Sequence, residues 1–499
     1  MRWKMKLAKL CNGLFIFFLA VAGVIACHET FLQIHGWIFL AVLPPVLLGI
    51  WSVKRAGKMK KELPYNRIWW IIQGLALVAM VITAFSLRVQ LTWDWGYCIQ
   101  VAERFSREGI TNVEYFSRYS NLQFWEAFLI FVAGIARSIY RDMDLMAFYK
   151  ITIVMSCIFT NLSLLVLHKT AVLLWGEKKG FFTGCVAAAC LPLYMWSMYA
   201  YTDTSSMLMM LLVLYFFIKS RKEEKSGKRM FYYGCMGLFA ALAWKIKVTV
   251  FIVMIAIVIT LLICLLTAGS KEKWTRFLKE MAVFALVFVA VIAGTGKMTQ
   301  ATLSFSAEDK ERYEFPLTHW VMMGLVYGGY VNEDVTFTKS FPSIQEKKEA
   351  NIRVIKERLK ERGTSGTLWY LLYTKQTRTW GDGTYASSDY SSRKPWTDQN
   401  IIRDTVPYGS PHNKGYLIYT GIYHILILLG MVLSGIFAMK KQPEQQWMFA
   451  GRLGMLGLTI FLMIWETNSR YLVAYMLLMV LVAMDGYLGL YKRFVKARR

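Results

Sequence analysis

The chain has 499 residues, 56% of them hydrophobic and 18% charged, and a formal net charge of +26. An ordinary soluble domain is nearer a quarter charged. With a mean hydropathy of +0.38, that composition excludes one here. Residues 298–413, the only long polar stretch, hold 15 Lys/Arg against 14 Asp/Glu, so the basic excess sits in tails and short loops, where it orients helices rather than binding nucleic acid.

Apolar runs of about 20 residues recur, the length that crosses hydrocarbon as a helix. The fold class expected is therefore an all-α polytopic membrane protein. Its eight cysteines, at 11, 27, 98, 157, 185, 190, 235 and 264, stand singly and mostly inside apolar runs. They read as small packing residues, without metal-ligand spacing.

Basic residues Arg2, Lys4, Lys6 and Lys9 predict a cytoplasmic N-terminus, with 10–27 crossing outward and 37–51 returning. The loop 52–67 carries six cations against Glu62 and is cytoplasmic. Residues 68–87 then cross outward and present Asp94 between Trp93 and Trp95, a pair suited to the membrane boundary.

The run 122–140 is long enough to span. A crossing there would put the later basic loops outside, and its Glu126 and Arg137 suit a surface helix, so it is read as interfacial. Spans then follow over 144–167, 181–198, 205–218, 231–244, 248–267 and 281–295. A tight outer turn is read at 201–204, and an outer pair of lysines, Lys245 and Lys247, at the hairpin 245–247. Residues 298–413 form an extracytoplasmic domain, and 416–439, 447–464 and 471–491 complete about twelve spans, both termini cytoplasmic.

Within that domain, Ser343 and Glu346 form a capping box before a helix stopped by Gly363. Residues 366–373 (GTLWYLLY) are too short to span and suit the interface. Residues 380–411 read as loops. The organisation expected is 1–67 as two additional spans, 68–297 as a catalytic core with its outer loop 88–143, 298–413 as the outer domain, and 414–499 as the closing spans.

This threading gathers polar groups on one face: Asp94 with Glu103, Asp203, Lys245 with Lys247, and Glu466 with Arg470. Ionisable groups at membrane depth are costly and mark functional sites. The cations suit a phosphate, and the carboxylates suit proton abstraction or a divalent cation. Each has a plainer reading. Asp94 can be a loop acid, Asp203 a helix cap, and the lysines boundary residues. Glu466 and Arg470 can form an ion pair, Glu103 a helix-face charge, and His319 with Trp320 a core pair.

The order of these features resembles the GT-C superfamily of membrane glycosyltransferases, closest to bacterial relatives of protein O-mannosyltransferases and the lipid A aminoarabinose transferase. The likeness rests on several stretches. Asp94 follows an outward span, and a helix with Ala102 and Gly109 comes after it. The segment 115–123 (YFSRYSNLQ) contains Tyr119 and Asn121. A Pro192-containing span ends at Asp203. Lys245, Lys247 and Thr249 come next, and Glu466, Arg470 and Tyr471 open the last span. It covers 68–300 and 447–491 and leaves out the outer domain. The chain departs where Trp95 replaces the acid of an Asp-Glu pair, where Ser120 replaces a proline, and where the Lys-Pro proline is missing.

The resemblance implies a sugar donor on a polyprenyl phosphate and an acceptor hydroxyl on an envelope polymer, lipid or protein outside the plasma membrane. Asp94 would be general base, Asp203 would position acceptor or cation, and Lys245, Lys247 and Arg470 would hold the donor phosphate. Glu103, Tyr119, Asn121, His319 and Glu466 would be substrate contacts. No metal is assigned, with a divalent cation at Asp94 and Asp203 left open. The rival is a polytopic transporter or lipid-linked-sugar flippase, which usually shows two related halves; no internal repeat is found here. A polymer ligase and a non-catalytic scaffold are further alternatives.

Overall fold

The computed structural model describes residues 2–34, 63–266, 270–326, 331–441 and 446–496. Among them the secondary structure is helical, apart from an isolated antiparallel bridge between Val89 and Pro395. Nine of the described helical stretches are long and apolar enough to cross a membrane. The return expected over 37–51 lies outside the described residues, as does most of the basic loop after it.

Helix α1 (Arg2–Ile34) contains the first expected crossing, and α2 (Tyr65–Ser86) the one that leads to Asp94. Then come α3 (Trp93–Glu108), α4 (Val113–Arg118), a 3-10 turn (Ser120–Leu122), α5 (Gln123–Ile139) and α6 (Leu145–Trp175). Asn112 and Asp144 open α4 and α6 by accepting from the N–H groups of Tyr115 and Ala147, at 2.9 and 2.7 Å. Each satisfies a donor that the helix itself cannot pair.

Helix α5 decides the threading. With the turn before it, it is long and apolar enough to span, yet it lies alongside α3 and runs in the same direction, Glu126 near Cys98 and Arg137 near Glu103 and Ser106. Arg137 near its end pairs with Glu103 at 2.7 Å, and Gln123 at its start donates to the Phe116 carbonyl at 2.8 Å. Tyr149, early in α6, donates to the carbonyl of Val89 at 3.2 Å. At the far end of α6, His168 stacks on Trp69 near the start of α2, ring centroids 4.0 Å apart. So α2 and α6 are antiparallel neighbours, and 88–144 stays at one end of the bundle, hereafter the Asp94 end.

Several boundaries differ from expectation. The span over 181–198 is two helices, α7 (Glu177–Ala188) and α8 (Leu191–Trp196). Pro192 sits in the first turn of α8. A proline neither donates an N–H to the carbonyl four residues back, here that of Ala188 at the end of α7, nor leaves room for its ring beside it. The tight turn at 201–204 is instead the first turn of α9 (Thr202–Lys222), capped at Tyr201. Helix α10 (Ser226–Ile246), a 3-10 turn (Val248–Val250) and α11 (Phe251–Leu265) follow. Helix α12 (Lys271–Leu303) absorbs the basic stretch 271–279 and runs past 298, so the polar insertion begins after Leu303.

The insertion holds α13 (Ala307–Tyr313), α14 (Leu317–Gly324), α15 (Asn332–Lys339), α16 (Ile344–Trp369), α17 (Lys375–Trp380) and α18 (Ser387–Ser392). The Ser343 hydroxyl caps α16 by accepting from Glu346 N–H at 3.2 Å. Gly363, at φ +67° and ψ 176°, is non-helical and stops the first part of α16, and a second helical part follows directly. Residues 366–373 continue as helix, with Leu368 and Trp369 exposed beside α1 along an apolar groove of about 890 Å³.

Helices α19 (Asn413–Ala438) and α20 (Phe449–Ile464), a 3-10 segment (Ser469–Tyr475) and α21 (Met476–Lys496) close the bundle. At the end opposite Asp94, buried Arg452 donates to Asn12, Ser434 and Gln446 at 2.8, 2.9 and 2.7 Å and meets Asp485 at 3.2 Å. A buried cation is tolerated when its donors are met, and this knot ties α1 to the last three helices.

Candidate active site

The turn that carries Asp94 is tight. Trp93 has φ +45°, a conformation strained for a bulky side chain. Gly96 has no room for a side chain, since a Cβ there would stand 2.4 Å from the Leu91 carbonyl carbon. The insertion clamps the approach to this turn. Gln90 N–H donates to Lys394 O at 2.9 Å, Trp396 N–H to Arg88 O at 2.9 Å, and buried Arg403 to Arg88 O at 2.8 Å.

Asp94 thus lies in the first turn of α3, where the helix dipole favours an anion. Tyr115 donates to its Oδ1 at 2.5 Å, and Tyr201 to its Oδ2 at 3.5 Å. Burial, and after it the Asp94 charge, push both phenols well above their ordinary pKa, so both remain donors.

Asp203, fully buried, occupies the first turn of α9. Lys247, the residue that ends α10, places Nζ 2.6 Å from Asp203 Oδ1. Arg470 brings Nη1 to 3.9 Å from Oδ2, beyond hydrogen-bond range. Asp203 Oδ2 and Arg470 Nε and Nη1 are buried without a hydrogen-bond partner among the described residues. Rings surround the guanidinium instead: Trp93 at 4.9 Å, Tyr390 and Tyr471 at 5.4 Å, and Tyr201 at 5.8 Å. Trp93 and Tyr201 also flank Asp94, so the carboxylate and the cations share one pocket.

The structure brings Asp94, Asp203, Lys247 and Arg470 together. Glu466 joins the margin, beside Tyr471 and Arg470, and burial raises its pKa. Behind it, fully buried Lys375 donates to Gly324 O at 2.8 Å and to Trp465 O; burial lowers its pKa to about 7. Tyr119 lines the neighbouring wall, its ring 4.9 Å from Tyr115 and 6.1 Å from Trp320.

Four residues stand apart from the cluster. Lys245 turns to α12, its Nζ beside Gly296. Glu103 is held by Arg137. Asn121 is exposed. His319 is buried within the insertion, Nδ1 2.8 Å from Thr338 Oγ1.

Sequence reasoning missed Tyr115, Tyr201 and Tyr390 as neighbours of the charges. Tyr201 stood two residues from Asp203 and was within reach. Tyr390 gave no signal, because its place depends on how the insertion folds back.

The donor set does not suit a divalent cation. Asp203 Oδ1 is taken by an ammonium, both Asp94 oxygens by phenols, and two cations already fill the pocket. A hard cation collects six to eight oxygen ligands, or an octahedron of them, and among the described residues no three His, Cys, Asp or Glu side chains converge.

The fold and site are those of a polytopic helical membrane protein with a charged pocket at one end of its bundle. The chain belongs to the family described as conserved hypothetical integral membrane protein, whose model matches residues 7–486. No curated protein matches it. Among solved structures it is similar to ArnT from Cupriavidus metallidurans bound to undecaprenyl phosphate, at 11% identity over 80% of this chain and 77% of that one, TM-score 0.37. It is similar to the apo form of the same protein at 12% identity over 85% and 77%, TM-score 0.33. It is also similar to the archaeal oligosaccharyltransferase AglB from Archaeoglobus fulgidus, in complex with an inhibitory peptide and a dolichol-phosphate, at 13% identity over 87% of this chain and 52% of that one, TM-score 0.43. The chain spans about half the length of AglB.

Proposed function

We propose that this protein is a glycosyltransferase that moves a sugar from a polyprenyl-phosphate donor to an acceptor hydroxyl at the outer face of the plasma membrane. The observation that carries this reading is Arg470, whose Nε and Nη1 are buried without a hydrogen-bond partner among the described residues, in a cluster shared with a carboxylate. A guanidinium left with unpaired donors is suited to a phosphate. The motif order set out under Sequence analysis supports the same chemistry.

Asp94 accepts the proton of the acceptor hydroxyl. The acceptor oxygen attacks the anomeric carbon from the face opposite the phosphate. The bond from that carbon to the phosphate oxygen breaks, its electron pair leaves with the polyprenyl phosphate, and the sugar centre inverts. Lys247 and Arg470 stabilise the departing charge, the electrostatic term that usually dominates such catalysis. Asp203 holds Lys247 and counterbalances both cations between turnovers. Tyr115 and Tyr201 orient Asp94. The insertion after Leu303 lies on the acceptor side.

The test is donor turnover. The purified protein is reconstituted with a panel of undecaprenyl-phosphate sugars and a crude envelope extract as acceptor. Release of undecaprenyl phosphate that disappears with Asp94→Asn is the expected result. Transfer of donor across the bilayer without release would replace the transferase with a flippase.

A further inference from the structure

Arg470 is held in an unusual way. A buried arginine is ordinarily fixed by a bidentate carboxylate, but the Asp203 contact is a single one at 3.9 Å and Nε and Nη1 have no partner among the described residues. Its orientation is therefore set by the four rings around it. Trp93, Tyr201 and Tyr471 lie within two residues of Asp94, Asp203 and Arg470 in sequence. Tyr390 alone comes from the polar insertion, in α18.

Tyr390 is seated firmly. Its ring lies 5.2 Å from Trp93, 5.3 Å from Trp196 and 5.4 Å from the Arg470 guanidinium, and Arg393 stands 3.9 Å from its centroid. The loop that leads to it is anchored independently. Asp382 accepts from Thr384 N–H, Thr384 Oγ1 and Ala386 N–H at 2.8, 2.7 and 2.7 Å, and from Ser469 Oγ at 3.1 Å. Trp196 donates to Tyr385 O at 3.0 Å. One loop thus grips residue 469 by a hydrogen bond and residue 470 by a ring.

We propose that Tyr390 is a positioning residue of the transfer site, whose ring holds the Arg470 guanidinium with its free N–H groups turned to the donor phosphate. This rests on the reading of Arg470 as a phosphate-binding group. The phenol of Tyr390 is dispensable on this account and the ring is not. The polar insertion then contributes a side chain to the donor site as well as lying on the acceptor side. Loss of one cation–π contact in a desolvated setting corresponds to roughly tenfold in affinity.

The experiment is equilibrium binding of undecaprenyl phosphate to the full-length protein in detergent micelles. It compares wild type, Tyr390→Phe, Tyr390→Leu, Arg470→Lys and the Tyr390→Leu/Arg470→Lys double variant, with thermal unfolding of each. The expected result is wild-type binding by Tyr390→Phe, roughly tenfold weaker binding by Tyr390→Leu, and no further loss from Tyr390→Leu in the Arg470→Lys background. Unchanged binding by Tyr390→Leu, or an equal loss in both backgrounds, overturns the proposal while leaving the proposed function standing. If Tyr390→Leu does not fold, Tyr390→Met takes its place; failure of both to fold shows a core ring and overturns the positioning role. No binding by wild type removes the phosphate reading of Arg470, and this inference with it.

Discussion

Lys247 Nζ stands 2.6 Å from Asp203 Oδ1, and the aspartate is fully buried. Two charges removed from water lose several kcal/mol of hydration each, which their attraction scarcely repays. Such a pair adds little to stability. Lys247→Ala strands the aspartate and is expected to destabilise by about 3–5 kcal/mol. Joint replacement by Lys247→Met and Asp203→Asn should restore most of the unfolding temperature and none of the turnover. Thermal unfolding in micelles alongside undecaprenyl phosphate release checks both halves; a double variant with normal turnover would make the pair purely structural.

Asp94→Asn keeps the shape of the side chain and its contact with Tyr115 while removing the proposed base. Turnover should fall by about 10²–10⁴-fold, the usual contribution of a positioned base, with unfolding temperature and undecaprenyl phosphate affinity within error of wild type. Turnover within threefold of wild type would dismiss Asp94 from the proton transfer.

Gly96→Ala meets backbone, since the new methyl would sit 2.4 Å from the Leu91 carbonyl carbon. Backbone cannot rotate away as a flexible side chain can. The expected cost is about 1–3 kcal/mol, with turnover reduced further because the displaced turn carries Asp94. Unfolding and turnover measured together decide it, and an unperturbed variant would show that the turn is not rigid.

His319 predicts an acid sensitivity of the insertion. The Thr338 hydroxyl gives its proton to Asn351 Oδ1 at 3.0 Å, so His319 Nδ1–H donates to Thr338 Oγ1 and Nε2 is left bare and buried. A second proton would sit on Nε2 without a partner, and burial lowers the pKa to about 4. The unfolded chain, near 6.5, binds that proton more readily. Stability is therefore complete above pH 6.5 and is lost as pH falls toward 4. His319→Gln should flatten that part of the unfolding curve; an unchanged slope would assign the acid loss elsewhere.

Periodicity and charge made the bundle legible. The Lys/Arg asymmetry placed 122–140 at the surface although its hydropathy allowed a crossing, and the ends of α2 and α6 that flank it lie together. Asp94, Asp203, Lys247 and Arg470 were readable because ionisable groups are rare beside apolar runs. Lys245 was not separable from Lys247, since neighbours two apart at a helix end turn to different partners only once that end is built. The break at Ala189–Cys190 had a local cause in Pro192 that an apolar count overlooks. The bridge from Val89 to Pro395 had none, because Gly-, Ser- and Asp-rich sequence states that a loop exists and not where it lands.

That bridge has a bearing on biosynthesis. The turn carrying Asp94 emerges early, but the strand contact and Arg403 that brace it are made some 300 residues later, and Arg470 follows only with the last helix. Long loops of this kind close slowly. While translation continues, Asp203 and Lys247 have only each other, and no pocket exists. A truncation before Arg470 removes a member of the cluster, so premature stops upstream of it should accumulate in the membrane as inert bundles.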